Sequence, residues 1–343
     1  MQQSTSRKIS YLQFFSALLV IAQHTVFTAY FNITEPWLLR LHTWARDMND
    51  ASVPIFFFIS ALLLMRSVEK YTWTQIMLRR LKTIALPYLL WIVVYTAARI
   101  IRGSLAAGAL LLPGFAEMWD WIVHGPEYYI FWFLRALLGL TALYPLMVWA
   151  VKKRWPAIIA AVGITVYCSW QGPAAPFESV LYWTPTFLLG CWAGLELLKI
   201  EKTPVFRSFW PYAACALLFL LSGWLRRVND LFYYTFWLTT PVLWWVLADQ
   251  FVSLPKPPWW VNATFFMYCS HMLLERYAVR LYLAIFGTGR KAFVLCHVIL
   301  PLICAAMVLL LAWLLRRLLP GVYSVMTGLR RPDHQQKKAK KAE

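Results

Sequence analysis

A histidine inside a hydrophobic run has few bland explanations. His24 lies near the end of the first such run, Ile9 to Ala29. At 1.5 Å per residue that run is long enough to cross a bilayer. Ionisable groups in such spans are costly and ordinarily face a protein interior, a water-filled cavity or a reaction path. An imidazole titrates near neutrality, so it can take up or release a proton there. Gln13 precedes His24 by eleven residues, about three helical turns, which puts both polar side chains on one face. Such a stripe must be covered, and it predicts a cage of other helices around it. A plainer reading is a histidine that only hydrogen-bonds between helices. The spacing alone does not separate the two.

Other chemistry-bearing residues recur at matching depth. Arg135 lies about two turns inside a later apolar run and could stabilise an oxyanion. The ninth run carries His271 near its middle, with Glu275, Arg276 and Arg280 following. His271 and Glu275 are i,i+4 neighbours on one face. For Glu275 a structural ion pair with an arginine is the expected role. His24, Arg135, His271 and Glu275 could all meet in the outer half of one cavity. His42 and His124 read as outer-loop residues, His334 as a tail residue and His297 as a packing residue. A second cluster, Arg79-Arg80-Leu81-Lys82, stands before Pro87-Tyr88. Cations there are either a topology signal or a grip on phosphate, to which a helix N-terminus adds favourable charge.

The elements that hold these residues follow from composition. The 343 residues are 61% hydrophobic and 14% charged, against about half and a quarter in soluble domains, and the mean hydropathy is +0.57. Twenty Trp, 17 Tyr and 22 Phe fit aromatic belts at two membrane interfaces. The chain reads as an all-α, polytopic membrane protein. About ten transmembrane helices are expected, at 9–29, 52–66, 83–101, 129–151, 156–171, 180–198, 209–225, 231–251, 261–284 and 292–315. Residues 1–330 form one transmembrane domain, and 331–343 a basic tail that touches anionic headgroups. No internal repeat appears, which counts against a secondary transporter. No cleavable signal peptide is apparent, because the first run is long and lacks a small-residue cleavage site.

The net charge of +18 does not point to nucleic acid, because the cations sit between apolar runs rather than on one face. Their distribution sets orientation instead. With the N-terminus in the cytoplasm, 22 of the 33 Lys and Arg fall on inner segments and 8 on outer ones. Both termini are then cytoplasmic, in a multi-pass protein of the cell's inner membrane. Cys168, Cys191, Cys215, Cys269, Cys296 and Cys304 all fall in predicted spans without metal-ligand or redox spacing. They read as small apolar residues, and no metal site is expected.

These residues, taken together, resemble the acyltransferase-3 superfamily of integral membrane acyltransferases. Tyr11-Leu12-Gln13 through Ala22-Gln23-His24 is similar to the family's opening signature, with Gln13 where an arginine is expected. Val53-Pro54-Ile55-Phe56-Phe57-Phe58-Ile59-Ser60-Ala61 resembles its Phe-rich run, with Ala61 in place of Gly. Arg80 and Pro87-Tyr88 match its basic stretch. Phe131-Trp132-Phe133-Leu134 through Leu138-Gly139-Leu140 resembles a further core motif, where Ile130 replaces a preceding His. Phe187-Leu188-Leu189-Gly190 and Phe266 through His271 are similar to two later segments.

The resemblance implies transfer of an acyl group, most often acetyl, from cytoplasmic acyl-CoA to a hydroxyl of a cell-surface or lipid-linked glycan. It implies no permanently bound cofactor, with acyl-CoA as donor substrate and membrane lipids around the chain. His24 is then the base or acyl carrier and Arg135 the oxyanion partner. Arg79, Arg80, Lys82 and Tyr88 would take the CoA, and Gln13, Trp132, His271 and Glu275 would contact substrate. Two alternatives stay open: a transporter or flippase of a lipid-linked sugar, and a membrane acyltransferase with a lipid or protein acceptor.

The charge count generates a topology test. In a variant lacking its own cysteines, single cysteines at Asn32 and Asn229 should react with an impermeant reagent added to intact cells. One at Ala339 should not, and the reverse pattern would overturn the orientation.

Overall fold

The architecture is set by runs of apolar residues too long to leave their backbone unpaired in a bilayer. A computed structural model describes residues 3–110, 112–124, 131–197, 199 and 204–328. The described chain is all-α, and each of the ten predicted runs falls on a helix or on a broken pair. In order the helices are α1 (Gln3–Thr25), α2 (Pro36–Asn49), α3 (Ser52–Val68), α4 (Trp73–Arg80), α5 (Leu86–Ala107), α6 (Phe115–His124), α7 (Trp132–Ala142) and α8 (Tyr144–Lys153). They continue as α9 (Trp155–Gln171), α10 (Val180–Trp192), α11 (Trp210–Leu225), α12 (Asp230–Leu247), α13 (Thr264–Phe286), α14 (Arg290–Leu318) and α15 (Pro320–Met326). The basic tail 331–343, with His334, lies outside the described residues, as does the His124 side chain.

Length and composition alone qualify fewer crossings than ten. Four helical segments are long and apolar enough: Pro36–Val68, Trp73–Ala107, Asp230–Ser253 and Arg290–Leu318. A fifth appears if α7 and α8 count as one span. The others are short, as α9 and α11 are at 17 and 16 residues, or are interrupted by polar residues, as α1 is, or by charge, as α13 is.

Several departures have local causes. The run 129–151 is not one helix, because α7 and α8 meet at 62°. Pro145 stands in the first turn of α8 and lacks the N–H that would continue the ladder. Pro87 does the same at the start of α5. Upstream of it the backbone widens into a π-turn, Leu81–Ala85, where the Leu86 N–H donates to the Leu81 carbonyl. The basic cluster therefore straddles an irregular turn. Residues 36–49, expected as outer loop, form α2.

α1 runs through the middle, packed on α3, α13, α14 and the turn Ala248–Ser253; its Leu12, Ser16 and Ile21 are fully buried. α10 lies directly on α3, because Gly190 and Gly194 let its backbone touch Phe58, Ala61, Leu62 and Met65. Small residues four apart are the usual device for close helix contact in lipid.

Charged locks close both ends of the bundle. At one end Lys8, counted above as a loop cation, is fully buried. It donates to Asp249 Oδ1 at 2.8 Å and sits 4.1 Å from the Trp245 ring centroid. Asp249 Oδ2 also accepts from the Val205 N–H and the Tyr212 hydroxyl. At the opposite end Arg226 donates to Asp50 at 2.9 Å and to the Asp47 carbonyl at 3.0 Å. Its guanidinium lies 4.7–4.8 Å from the faces of Tyr233, Phe236 and Trp237. Arg227 pairs with Asp47, and Arg290 with Glu35.

Removing one member of a buried pair leaves an uncompensated charge, a loss of about 3–5 kcal/mol. Asp249→Ala should lower the melting temperature in detergent sharply. Lys8→Met with Asp249→Leu should recover only part, since Tyr212 and the Val205 N–H still lack an acceptor. A single variant as stable as wild type would remove the lock from the account.

Candidate active site

Gln13 and His24 lie eleven residues apart on α1, roughly 16 Å along its axis. They open onto two cavities, not one. Toward the Lys8 end, Gln13 lines a cavity of about 110 Å³ with Ser60, Arg80, Thr83 and Thr264. Toward the other end, His24 lines one of about 60 Å³ with Gln23, Asp50, Ser52, Trp132 and His271. Three side chains, Phe56, Phe133 and Tyr268, belong to the walls of both. They form an aromatic partition between the cavities. The Phe133 and Tyr268 rings meet edge to face, with centroids 5.7 Å apart.

The His24 and His271 rings face each other with centroids 5.3 Å apart and planes tilted by 44°. His271 is fully buried. Its Nδ1 lies 2.8 Å from the Tyr268 carbonyl and 3.2 Å from that of Met267. A carbonyl only accepts, so Nδ1 carries the proton and Nε2 offers a lone pair. That Nε2 is buried and has no hydrogen-bond partner among the described residues.

A second histidine pair calibrates the first. His42 on α2 and His297 on α14 also have centroids 5.3 Å apart, and there His42 Nδ1 lies 3.1 Å from His297 Nε2. The His24 and His271 rings are as close as those of that hydrogen-bonded pair.

The same cavity carries further unpartnered or acceptor atoms. Gln23 Oε1 is buried with no hydrogen-bond partner among the described residues. Asp50 contributes a carboxylate whose Oδ2 is held by Arg226. A wall rich in acceptors suits a ligand that brings hydroxyl donors.

The remaining expected site residues divide. Trp132 lines the His24 cavity, and Arg80 alone of the basic cluster lines the Gln13 cavity. Arg79 is exposed, its guanidinium 3.5 Å from the Tyr71 ring centroid, and Lys82 is exposed on the π-turn. Tyr88 packs edge-on against Phe131, with centroids 5.7 Å apart, and is not among the lining residues of either cavity. Arg135 is not one either; it donates to Glu178 at 3.3 Å and lies within electrostatic reach of Tyr268. Glu275 is buried one turn beyond His271 and forms no ion pair among the described residues. The single meeting place expected for these groups is thus a histidine pair, with Arg135 and Glu275 outside it.

Sequence reasoning passed over Gln23, Asp50 and Arg226. Gln23 stands beside His24, and Asp50 immediately precedes the Phe-rich run, but neither lies on a periodic face that would single it out. His42 and His297, read separately as loop and packing residues, touch across 255 positions, a contact no local pattern signals.

No curated protein and no solved structure matches the chain. The family model described as an acyltransferase domain, of the acyltransferase-3 type, matches residues 7–318. That match takes in both cavities, their shared partition and both histidine pairs, and on it the chain belongs to the acyltransferase-3 family of membrane acyltransferases.

Proposed function

We propose that this acyltransferase moves a short acyl group, acetyl by preference, from acyl-CoA on the Lys8 side to a hydroxyl of a glycan or lipid-linked glycan on the His24 side. The observation that carries the reading is the pair of cavities meeting at one aromatic partition, with Arg80 in the first and two histidines in the second. Arg80 suits a CoA phosphate. The His24 cavity suits an alcohol, through its acceptor-rich wall and the face of Trp132 for a sugar. Its volume of about 60 Å³ corresponds to roughly four water positions. That is room for a hydroxyl and a two-carbon acyl group and not for a long chain.

In the reaction His24 donates one N–H to His271 Nε2 and accepts the acceptor's hydroxyl proton on its other nitrogen. The hydroxyl oxygen bonds to the thioester carbonyl carbon. Tyr268, with Arg135 behind it, faces the oxyanion. Collapse breaks the carbon–sulfur bond, and the departing thiolate takes the proton from His24. Protons balance within the site. Helices of the bundle cross the membrane so that acceptor and donor approach from opposite faces, with both termini on the donor side. A transporter would use the same cavities without a proton acceptor, so the pair of histidine rings at the His24 cavity favours chemistry.

His24→Ala and His24→Gln should both abolish transfer while leaving the melting temperature near wild type. A near wild-type rate from purified His24→Gln would end the assignment. His271→Leu should lower kcat by roughly 10²–10⁴-fold without changing the donor KM. His271→Gln, whose amide oxygen still accepts, should recover part of it, and equal rates for the two would reduce His271 to packing.

On the donor side, Arg80→Ala should raise the acyl-CoA KM about ten- to a hundred-fold. Arg79→Ala should change it little, since Arg79 rests on Tyr71. The opposite order would move the CoA grip out of the Gln13 cavity.

A further inference from the structure

The largest concavity described is in neither reaction cavity. A groove of about 660 Å³ runs between α9, α10 and α12, within the usual range for ligand sites. Ala161, Pro185, Leu188 and Val242 represent its apolar walls, and Arg154 is the one charged residue that lines it. It lies in the half toward the Lys8 lock, since α12 runs from the groove wall directly to Asp249.

Arg154 is unusual in two further respects. It is the only non-glycine residue with positive φ among the described residues. Its φ of 64° and ψ of −62° belong to the strained γ-turn, which costs a side-chain-bearing residue of order 1–3 kcal/mol and glycine little. An arginine kept at such a position calls for a reason beyond the turn itself. It also stands at the N-cap of α9, where no side chain caps the helix. Lys152 and Lys153 precede it, both exposed. Arg154 and the unsatisfied N–H groups of a helix start thus stand at the edge of the apolar groove, with two further cations adjacent in sequence. Trp155 beside them is 71% exposed, as an interfacial anchor would be.

An apolar trough with a cationic mouth matches one ligand shape, a hydrocarbon chain bearing a phosphate. We infer that the groove is a binding site for an anionic phospholipid, with an acyl chain along α10 and α12 and its phosphate on Arg154 and the start of α9. None of the groove residues lines either reaction cavity, so the site stands independently of the acyl-transfer reading.

The test uses the full-length protein in neutral detergent, titrated with dioleoyl phosphatidylglycerol, dioleoyl phosphatidylcholine or undecaprenyl phosphate. Native mass spectrometry counts bound lipid, and unfolding temperature reports linkage. Phosphatidylglycerol should bind roughly ten-fold more tightly than phosphatidylcholine and raise the unfolding temperature. Arg154→Gln should erase that preference, and Ala161→Trp, which fills the groove, should weaken both phospholipids. Arg154→Gly checks folding: it should match or exceed the lipid-free stability of wild type and still lose the preference. Equal binding of the two phospholipids, or selectivity that survives Arg154→Gln, overturns the site. Tighter binding of undecaprenyl phosphate than phosphatidylglycerol overturns the occupant.

Discussion

An ammonium withdrawn from water loses several kcal/mol of hydration unless a counter-charge and hydrogen bonds replace it. Lys8 is fully buried at the start of α1, and everything near it answers that demand. Asp249 supplies the charge, the Trp245 face a second contact, and Tyr212 with the Val205 N–H fixes the carboxylate in turn. Four segments distant in sequence are thereby tied to one end of the central helix. With that end fixed, the rigid rise of α1 sets where Gln13 and His24 stand. The other end is held by Arg226 against Asp47 and Asp50. Gln13 and His24 hang between two electrostatic anchors.

The second anchor also reaches the His24 cavity. Asp50 is both the partner of Arg226 and a wall of the His24 cavity. Arg226 in turn is packed among three aromatic faces of α12. A carboxylate held this way keeps its direction, which a freely rotating surface aspartate would not. The histidine pair is organised by a similar economy, because the helix's own carbonyls at Met267 and Tyr268 select the His271 tautomer without recruiting another side chain.

Much of this was legible in the sequence, and what was not has identifiable causes. Continuous apolar runs mark helices wherever they occur, so the all-α architecture and the position of each run could be read directly. That His24 would face a cavity followed from the cost of an imidazole in such a run. Proline effects were harder, since Pro145 breaks a span by 62° while Pro185 and Pro301 sit inside continuous helices. α2 escaped notice because its polar residues pair across the fold rather than along it. The expected meeting of His24 and His271 is seen in their adjacent rings. Depth cannot supply rotation about the helix axis, and Arg135 and Glu275 share that depth without sharing the cavity. The same limit hid the division between Gln13 and His24. Helical phase puts two side chains on one face, but only the neighbouring rings of Phe56, Phe133 and Tyr268 decide whether that face is open or partitioned.

That partition has a consequence for the cell as well as for the reaction. A membrane that stores energy as ion gradients cannot hold an open aqueous bore, however narrow, without dissipating them. Two polar recesses that share the rings of Phe56, Phe133 and Tyr268 as a common wall keep their hydrophilic linings apart. Separate recesses of that kind are compatible with an insulating bilayer in a way that a single polar bore is not.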